Sequence, residues 1–218
     1  MTYLLPAPQE PAKAFPLFAQ NYLRWAEVEN FFSGFSSDVP DLRIGDYLKG
    51  RVLDIGCGCG YMVKHLQERG IDCYGLERDE KTAVFARSTA RRPEKIILAD
   101  ARRMPFPDNS FGLVASTMIY DHQNVSPCFV GYEDFLKRAS TPGYMFAPLP
   151  IEEDPRENMK KIKEEALRVT RPGGFYFVQD SFHDSMGINK FFEGFERLND
   201  SNCFIALRKP THPTLPTK

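Results

Sequence analysis

The segment Val52-Leu-Asp-Ile-Gly-Cys-Gly-Cys-Gly60 is the most informative part of the sequence for the fold. It opens with a short apolar run, which is typical of a buried strand. Glycines at three alternate positions follow, and they let the backbone turn sharply and approach a ligand closely. A helix is predicted over 61–69, and Gly70 stands in the position where a glycine usually ends a helix. The stretch is therefore predicted to form a strand, a tight turn and a helix.

The same alternation continues along the chain to about residue 180. Further strands are predicted at 73–77, 95–100, 111–117 and 174–180, with helices at 79–91 and from Asp154 to the Pro172-Gly173-Gly174 break. An antiparallel pair over 191–198 and 203–208, joined by a polar turn, is predicted to follow. Repeated strand–helix units imply a mostly parallel sheet with helices on both faces. The fold class is therefore predicted to be α/β, and ligands are expected at the carboxyl ends of the strands.

The segments around this sheet are predicted to have other roles. Residues 1–49 comprise a proline-rich arm and cap helices, including an amphipathic helix over 18–32 that carries Tyr22 and Trp25. That helix either closes over a ligand or is ordinary core. Residues 120–154 are a less regular insertion on the substrate side, and long irregular segments are often functional. We expect one domain over 50–209 and a short tail over 210–218.

Composition excludes several classes of protein. The formal net charge is -1, whereas nucleic-acid-binding proteins usually carry a basic excess. No apolar run is long enough to span a membrane, and the first sixteen residues lack the pattern of a secretory signal. The chain has five cysteines, an odd number, so a disulfide framework is not expected. A cytoplasmic location is expected instead. A metal site is not expected, because no second Cys or His pair follows Cys57 and Cys59 at zinc spacing.

A basic cluster stands out against this balance. It comprises Arg87, Arg91, Arg92, Lys95, Arg102 and Arg103. Such a cluster is usually a solvated surface, and the alternative is a patch for an acidic substrate.

The glycine turn does not fit the best-known phosphate-binding motifs. A dinucleotide fingerprint needs a glycine in the sixth place, where this chain has Tyr61. A P-loop would need Gly-Lys followed by Ser or Thr. The turn is therefore not predicted to cradle a pyrophosphate.

Residues 52–60 resemble motif I of the class I S-adenosylmethionine-dependent methyltransferases. Other segments are similar to that family in the family's order: Glu77 and Asp100 at the ends of the second and third strands, the loop 103–114, and the corner 167–175. The family's usual Asp in that loop is Gly112 here, which is expected to loosen one structural contact. The resemblance spans about residues 50–209. It implies a three-layer Rossmann-like methyltransferase fold with a mostly parallel seven-stranded sheet and an antiparallel C-terminal strand pair.

The resemblance also implies the cofactor, S-adenosylmethionine, with S-adenosylhomocysteine as product. The loop would pack on its methionyl part and ribose, Glu77 would accept hydrogen bonds from the ribose hydroxyls, and Asp100 with Ala101 would hold the adenine. The predicted cofactor-binding residues are Asp54, Gly56, Cys57, Gly58, Gly60, Glu77, Arg78, Asp100, Ala101 and Thr117.

The methyl acceptor is expected over the end of the fourth strand. His122 and Tyr120 follow that strand in the sequence and are therefore the catalytic candidates. His122 is the first candidate for a general base because imidazole titrates near neutrality, and His183 is a weaker one. A small-molecule acceptor with an O or N nucleophile is predicted, acted on by a monomer or homodimer. The alternatives are an RNA or protein methyltransferase, a non-catalytic binder of the cofactor, and a nicotinamide dehydrogenase, which Tyr61 opposes.

Overall fold

A computed structural model describes residues 48–117, 155–179, 191–199 and 204–211. The strands are β1 Val52–Ile55, β2 Cys73–Glu77, β3 Ile96–Leu98, β4 Phe111–Thr117, β5 Thr170–Gln179, β6 Glu196–Arg197 and β7 Phe204–Arg208. The helices are α1 Tyr61–Glu68, α2 Glu80–Thr89 and α3 Pro155–Val169, and a 3₁₀ turn covers Pro93–Lys95.

The strands form one sheet in the order β3-β2-β1-β4-β5-β7-β6. The pairings from β3 to β5 are parallel, whereas β7 runs antiparallel to both β5 and β6. The chain moves outward from β1 to β3 and then returns to place β4 beside β1. Crevices open at such a switch point, beyond the carboxyl ends of the strands. The fold therefore points to the ends of β1 and β4 as the place for a ligand.

Two apolar cores cover the two faces of the sheet, because successive side chains of a strand point to opposite faces. Helices α1 and α2 pack on one face, through residues such as Val63, Leu66 and Ala86. Helix α3 packs on the other face, through residues such as Ile162 and Val169. We call these the α1/α2 face and the α3 face. Full burial of one Leu or Val contributes roughly 1.5–3 kcal/mol, so these cores hold the strand ends in fixed positions.

The predicted fold class is confirmed: within the described ranges the sheet has seven strands, is mostly parallel and ends in an antiparallel pair. Gly70 ends α1 as predicted, with φ of 76° and its N–H donating to the carbonyl of Gln67 at 3.0 Å. Asp79 caps α2, since its side chain accepts from the backbone N–H of Thr82 at 2.8 Å.

Two predicted boundaries are wrong. The strand predicted over 191–198 is reduced to Glu196–Arg197, because the residues before it form a helical turn that packs Phe192 into the α3 face. Helix α3 ends at Val169 rather than at the Pro-Gly-Gly break. Thr170 already pairs with Phe111 of β4, and the break forms an irregularity inside β5.

Gly112, where the family usually has Asp, occupies a crowded position. The guanidinium of Arg171 donates to the Lys49 carbonyl at 2.9 Å, and both groups lie against Gly112. A Cβ at residue 112 would overlap the Lys49 carbonyl oxygen and lie 3.3 Å from the Arg171 guanidinium. The absence of a side chain at Gly112 therefore makes room for the contact between Arg171 and Lys49.

No helix within the described ranges is long and apolar enough to cross a membrane.

Candidate functional site

The turn after β1 requires its glycines. Gly56, Gly58 and Gly60 have φ of 68°, 52° and 76°, a left-handed region that side chains other than glycine rarely adopt. A Cβ on Gly60 would also lie 3.1 Å from the backbone carbonyl oxygen of Ala86 in α2. The turn thus brings α1 against α2 at the end of β1.

Cys57 anchors this turn to strand β2 and to the α1/α2 face. Its backbone N–H donates to the carbonyl of Leu76 at 3.0 Å, and its side chain is buried in the α1/α2 face. A Cβ on Gly75 of β2 would lie 2.7 Å from the Cys57 Sγ, so Gly75 makes the space that the thiol fills. Burial raises the pKa of this thiol well above its usual value, and it stays protonated. Only the backbone of Cys57 is therefore available to contact a ligand.

Glu77, the last residue of β2, ties the turn to the second strand. Its Oε2 accepts from the Gly58 N–H at 3.1 Å, and its Oε1 accepts from the N–H groups of Arg78 and Asp79 at 2.8 and 2.9 Å. The residue is only 9% exposed. Burial raises the pKa of Glu77, although the three N–H groups act to lower it. A carboxylate offers about four acceptor sites, so about one of them remains for a ligand.

Asp54 lies beside Glu77 and is 3% exposed. Burial, followed by the charge of Glu77, raises the pKa of Asp54 well above its usual value. Among the residues that the structure describes, none donates a hydrogen bond or forms an ion pair to this carboxylate. Burial of two carboxylates this close together disfavours their charged forms. The pair therefore creates a negative site in which a cation would stabilise both charges.

Asp100 lies beyond the end of β3 and is held by Arg102. The Arg102 guanidinium contacts both carboxylate oxygens, at 2.6 to 3.0 Å, and its Nη1 donates to Asn158 of α3 at 3.0 Å. Burial alone would raise the pKa of Asp100, but the bonds from Arg102 outweigh it and hold the pKa below its usual range. A ligand at Asp100 would therefore share the carboxylate with Arg102 or displace it. Ala101, the next residue, packs partly buried against the α3 face.

Thr117 and Gln179 complete the row of strand ends. They are paired across β4 and β5 as the last residues of these strands. Sequence reasoning included Thr117 and missed Gln179, for which no motif gave a signal. It also treated Arg102 only as part of the basic cluster, although Arg102 directly follows the predicted Asp100–Ala101 pair.

The structure thus brings together Asp54, the glycine turn, Glu77 and Thr117 along the carboxyl ends of neighbouring strands, with Asp100 one strand farther out. Arg78 is exposed, and its charge helps to lower the pKa of Asp100. The catalytic candidates Tyr120 and His122, together with His183, Tyr22, Trp25 and the insertion 120–154, lie outside the described residues. No group of three or more His, Cys, Asp or Glu side chains within the described ranges could hold a metal ion.

The basic cluster is largely paired. Arg87 donates to the Ile96 carbonyl at 3.2 Å. The remaining pairs are Arg91 with Glu68, Arg92 with Asp72 and Glu94, Lys95 with Asp72, and Arg102 with Asp100. These pairs fit a solvated ion-pair surface better than a free patch for polyanions.

Comparison with known proteins agrees with the fold. Residues 53–139 match the family model described as a methyltransferase domain. The TehB-like S-adenosylmethionine-dependent methyltransferase of Corynebacterium glutamicum superposes with a TM-score of 0.54 at 16% identity, covering 92% of this chain and 99% of that one.

Two curated relatives carry different names. The demethylmenaquinone methyltransferase of Paenarthrobacter aurescens is 28% identical over 147 residues, which are 67% of this chain and 43% of that protein. The mitochondrial arginine-hydroxylase NDUFAF5 of Rattus norvegicus is 36% identical over 66 residues, which are 30% of this chain and 19% of that protein. The chain therefore spans less than half the length of the curated relatives it matches.

Proposed function

We propose that this chain, whose central domain belongs to the class I S-adenosylmethionine-dependent methyltransferase family, binds S-adenosylmethionine and methylates an O or N atom of a small-molecule acceptor. The main support is the pair of buried carboxylates, Asp54 and Glu77, at the glycine turn, where Glu77 accepts from the Gly58 N–H.

The charge of this site suits the cofactor. S-adenosylmethionine carries a sulfonium and an ammonium cation, and Asp54 is a buried carboxylate without a partner among the described residues. An opposite charge nearby stabilises the ionised form of such a group. We therefore assign Asp54 to the cationic methionyl end of the cofactor. When bound, the cofactor supplies an electrophilic methyl group on sulfur, and the protein supplies orientation and electrostatics.

The other assignments follow the order of the strand ends. The turn of Gly56, Gly58 and Gly60 lets the ligand approach the backbone. Glu77 has about one acceptor site left, which suits one ribose hydroxyl more directly than two. Asp100 and Ala101 are assigned to the adenine, and this assignment requires Arg102 to share the Asp100 carboxylate.

The acceptor is assigned to the end of β4, beside Thr117. Holding the nucleophile and the methyl group in line contributes much of the rate in such reactions. His122 and Tyr120 remain the proposed catalytic pair, with His122 as general base for an oxygen nucleophile. The name of the Paenarthrobacter relative supports a small molecule as acceptor, and the pairing of the basic cluster gives no support to RNA.

The hydroxylase name of the Rattus relative makes a direct test of the reaction necessary. The purified protein would be incubated with methyl-labelled S-adenosylmethionine and a panel of phenols, a naphthoquinol, amines, RNA and protein. We expect labelled product from a small molecule and none from RNA or protein. Asp54→Asn should lose most of this transfer, whereas Glu94→Gln, at an exposed ion pair, should keep it. Cofactor binding without transfer to any acceptor would identify a non-catalytic binder and contradict the proposal.

A further inference from the structure

Gln179 shares a face of the sheet with the other residues of the site. Within β5, Phe175 and Phe177 point to the α1/α2 face, and side chains alternate along a strand. Gln179 therefore points to the α1/α2 face as well. By the same alternation, Thr117 follows Ala115 of β4 onto this face.

The cofactor-side carboxylates follow the same rule. Asp54 lies two residues after Val52, and Glu77 lies four residues after Cys73, so each carboxylate shares a face with that apolar residue. Both apolar residues lie in the α1/α2 core. A single row along the carboxyl edge thus runs from Glu77 on β2, through β1 and Thr117 on β4, to Gln179 on β5. Neighbouring strands lie about 4.8 Å apart, so Gln179 is one strand beyond Thr117 on the side away from the proposed cofactor site.

The Oε1 of Gln179 is buried and has no hydrogen-bond partner in the part of the chain that the structure describes. Such orphaned buried atoms are rare, and each calls for an explanation. Gln179 as a whole is partly exposed, so a ligand can approach it from the edge of the sheet. An amide oxygen can only accept, and the missing partner must therefore be a donor.

We propose that Gln179 is a specificity-determining residue, whose amide oxygen accepts a hydrogen bond from a hydroxyl group of the methyl acceptor. The inference rests on the proposed function, because it places the acceptor over β4 and β5. The bond would select acceptors that carry a hydroxyl and fix their orientation beside Thr117. Sites built to pair a substrate hydroxyl reject analogues that lack it, since the buried polar group is then left unpaired.

The test uses the full chain, saturated with S-adenosylhomocysteine, and two probes. The probes are 1,4-naphthoquinol, kept reduced without oxygen, and 1,4-dimethoxynaphthalene, which has the same rings and no hydroxyl donor. We expect the wild type to bind the naphthoquinol about tenfold more tightly than the ether. Gln179→Met, which has a similar shape and no amide, should bind both about equally. Gln179→Glu keeps an accepting oxygen and should keep the preference.

Two further measurements separate this role from a structural one. Because the oxygen has no partner to lose, Gln179→Met should melt no lower than the wild type, and its affinity for S-adenosylhomocysteine should stay within about twofold. A lower melting temperature would show that Gln179 is bonded within the fold and would overturn the proposal. Absence of a preference in the wild type, or its persistence in Gln179→Met, would overturn it too. Failure of the wild type to bind S-adenosylhomocysteine would instead refute the proposed function.

Discussion

Glu77→Ala should destabilise the protein through the glycine turn, even without a ligand. Glu77 is the acceptor for three backbone N–H groups, those of Gly58, Arg78 and Asp79. The Gly58 bond is buried and the other two are partly buried, and a fully buried donor left without an acceptor costs about 1–3 kcal/mol. Three fully buried donors would cost about 3–9 kcal/mol. The partial exposure of two of them, and water that enters the vacated space, bring the loss toward the lower end. We expect the free energy of unfolding to fall by about 3–4 kcal/mol.

Glu77→Gln serves as the matched comparison. Its amide oxygen can still accept from Arg78 and Asp79, whereas its NH₂ group faces the Gly58 N–H, so one bond is lost. Burial of its charge raises the pKa of Glu77. A neutral Gln side chain avoids the cost of burying that charge, which offsets part of the loss. Urea unfolding at about neutral pH should therefore place Glu77→Gln between Glu77→Ala and the wild type. A loss below about 1 kcal/mol for Glu77→Ala, or a larger loss for Glu77→Gln, would refute the reasoning.

Three other substitutions have expected outcomes. Asp54→Asn should stabilise the cofactor-free protein: burial raises the pKa of Asp54 above 3.8, so the wild type loses stability as pH rises through that raised pKa. Unfolding from about pH 4 to about pH 7 should show the gain growing with pH, and a constant gap would contradict it. Gly112→Ala should lower the free energy of unfolding by about 1–3 kcal/mol through overlap with the Lys49 carbonyl, and an unchanged denaturation midpoint would count against this. Arg168→Gln frees the carbonyls of Met104 and Phe106, so hydrogen exchange should speed up over 103–108, and unaltered exchange there would contradict the result.

The glycine turn could be predicted from sequence because its requirement is local. Three alternate glycines between a buried strand and a helix leave few other conformations, and all three have positive φ. The carboxylates at the strand ends could be placed at one edge for a similar reason, since parallel strands bring their carboxyl ends to the same edge of the sheet.

What sequence reasoning missed depends on distant contacts. The run at 191–198 is rich in Phe and resembled a strand, but Phe192 packs into the α3 face from a helical turn. The pairing of Arg102 with both Asp100 and Asn158 joins residues 56 positions apart. The unpaired oxygen of Gln179 arises from burial in the folded sheet, which no local pattern reveals.

Calorimetric titration with S-adenosylhomocysteine is the direct test of cofactor binding, with NAD as a control ligand and Asp54→Asn as the matched variant. We expect micromolar binding to the wild type, roughly -8 kcal/mol, and no heat from NAD. Asp54→Asn should weaken binding by at least about tenfold, because the ligand's ammonium group loses its buried carboxylate. Absence of binding to the wild type, or binding of NAD in its place, would show that this chain has no S-adenosylmethionine site at Asp54.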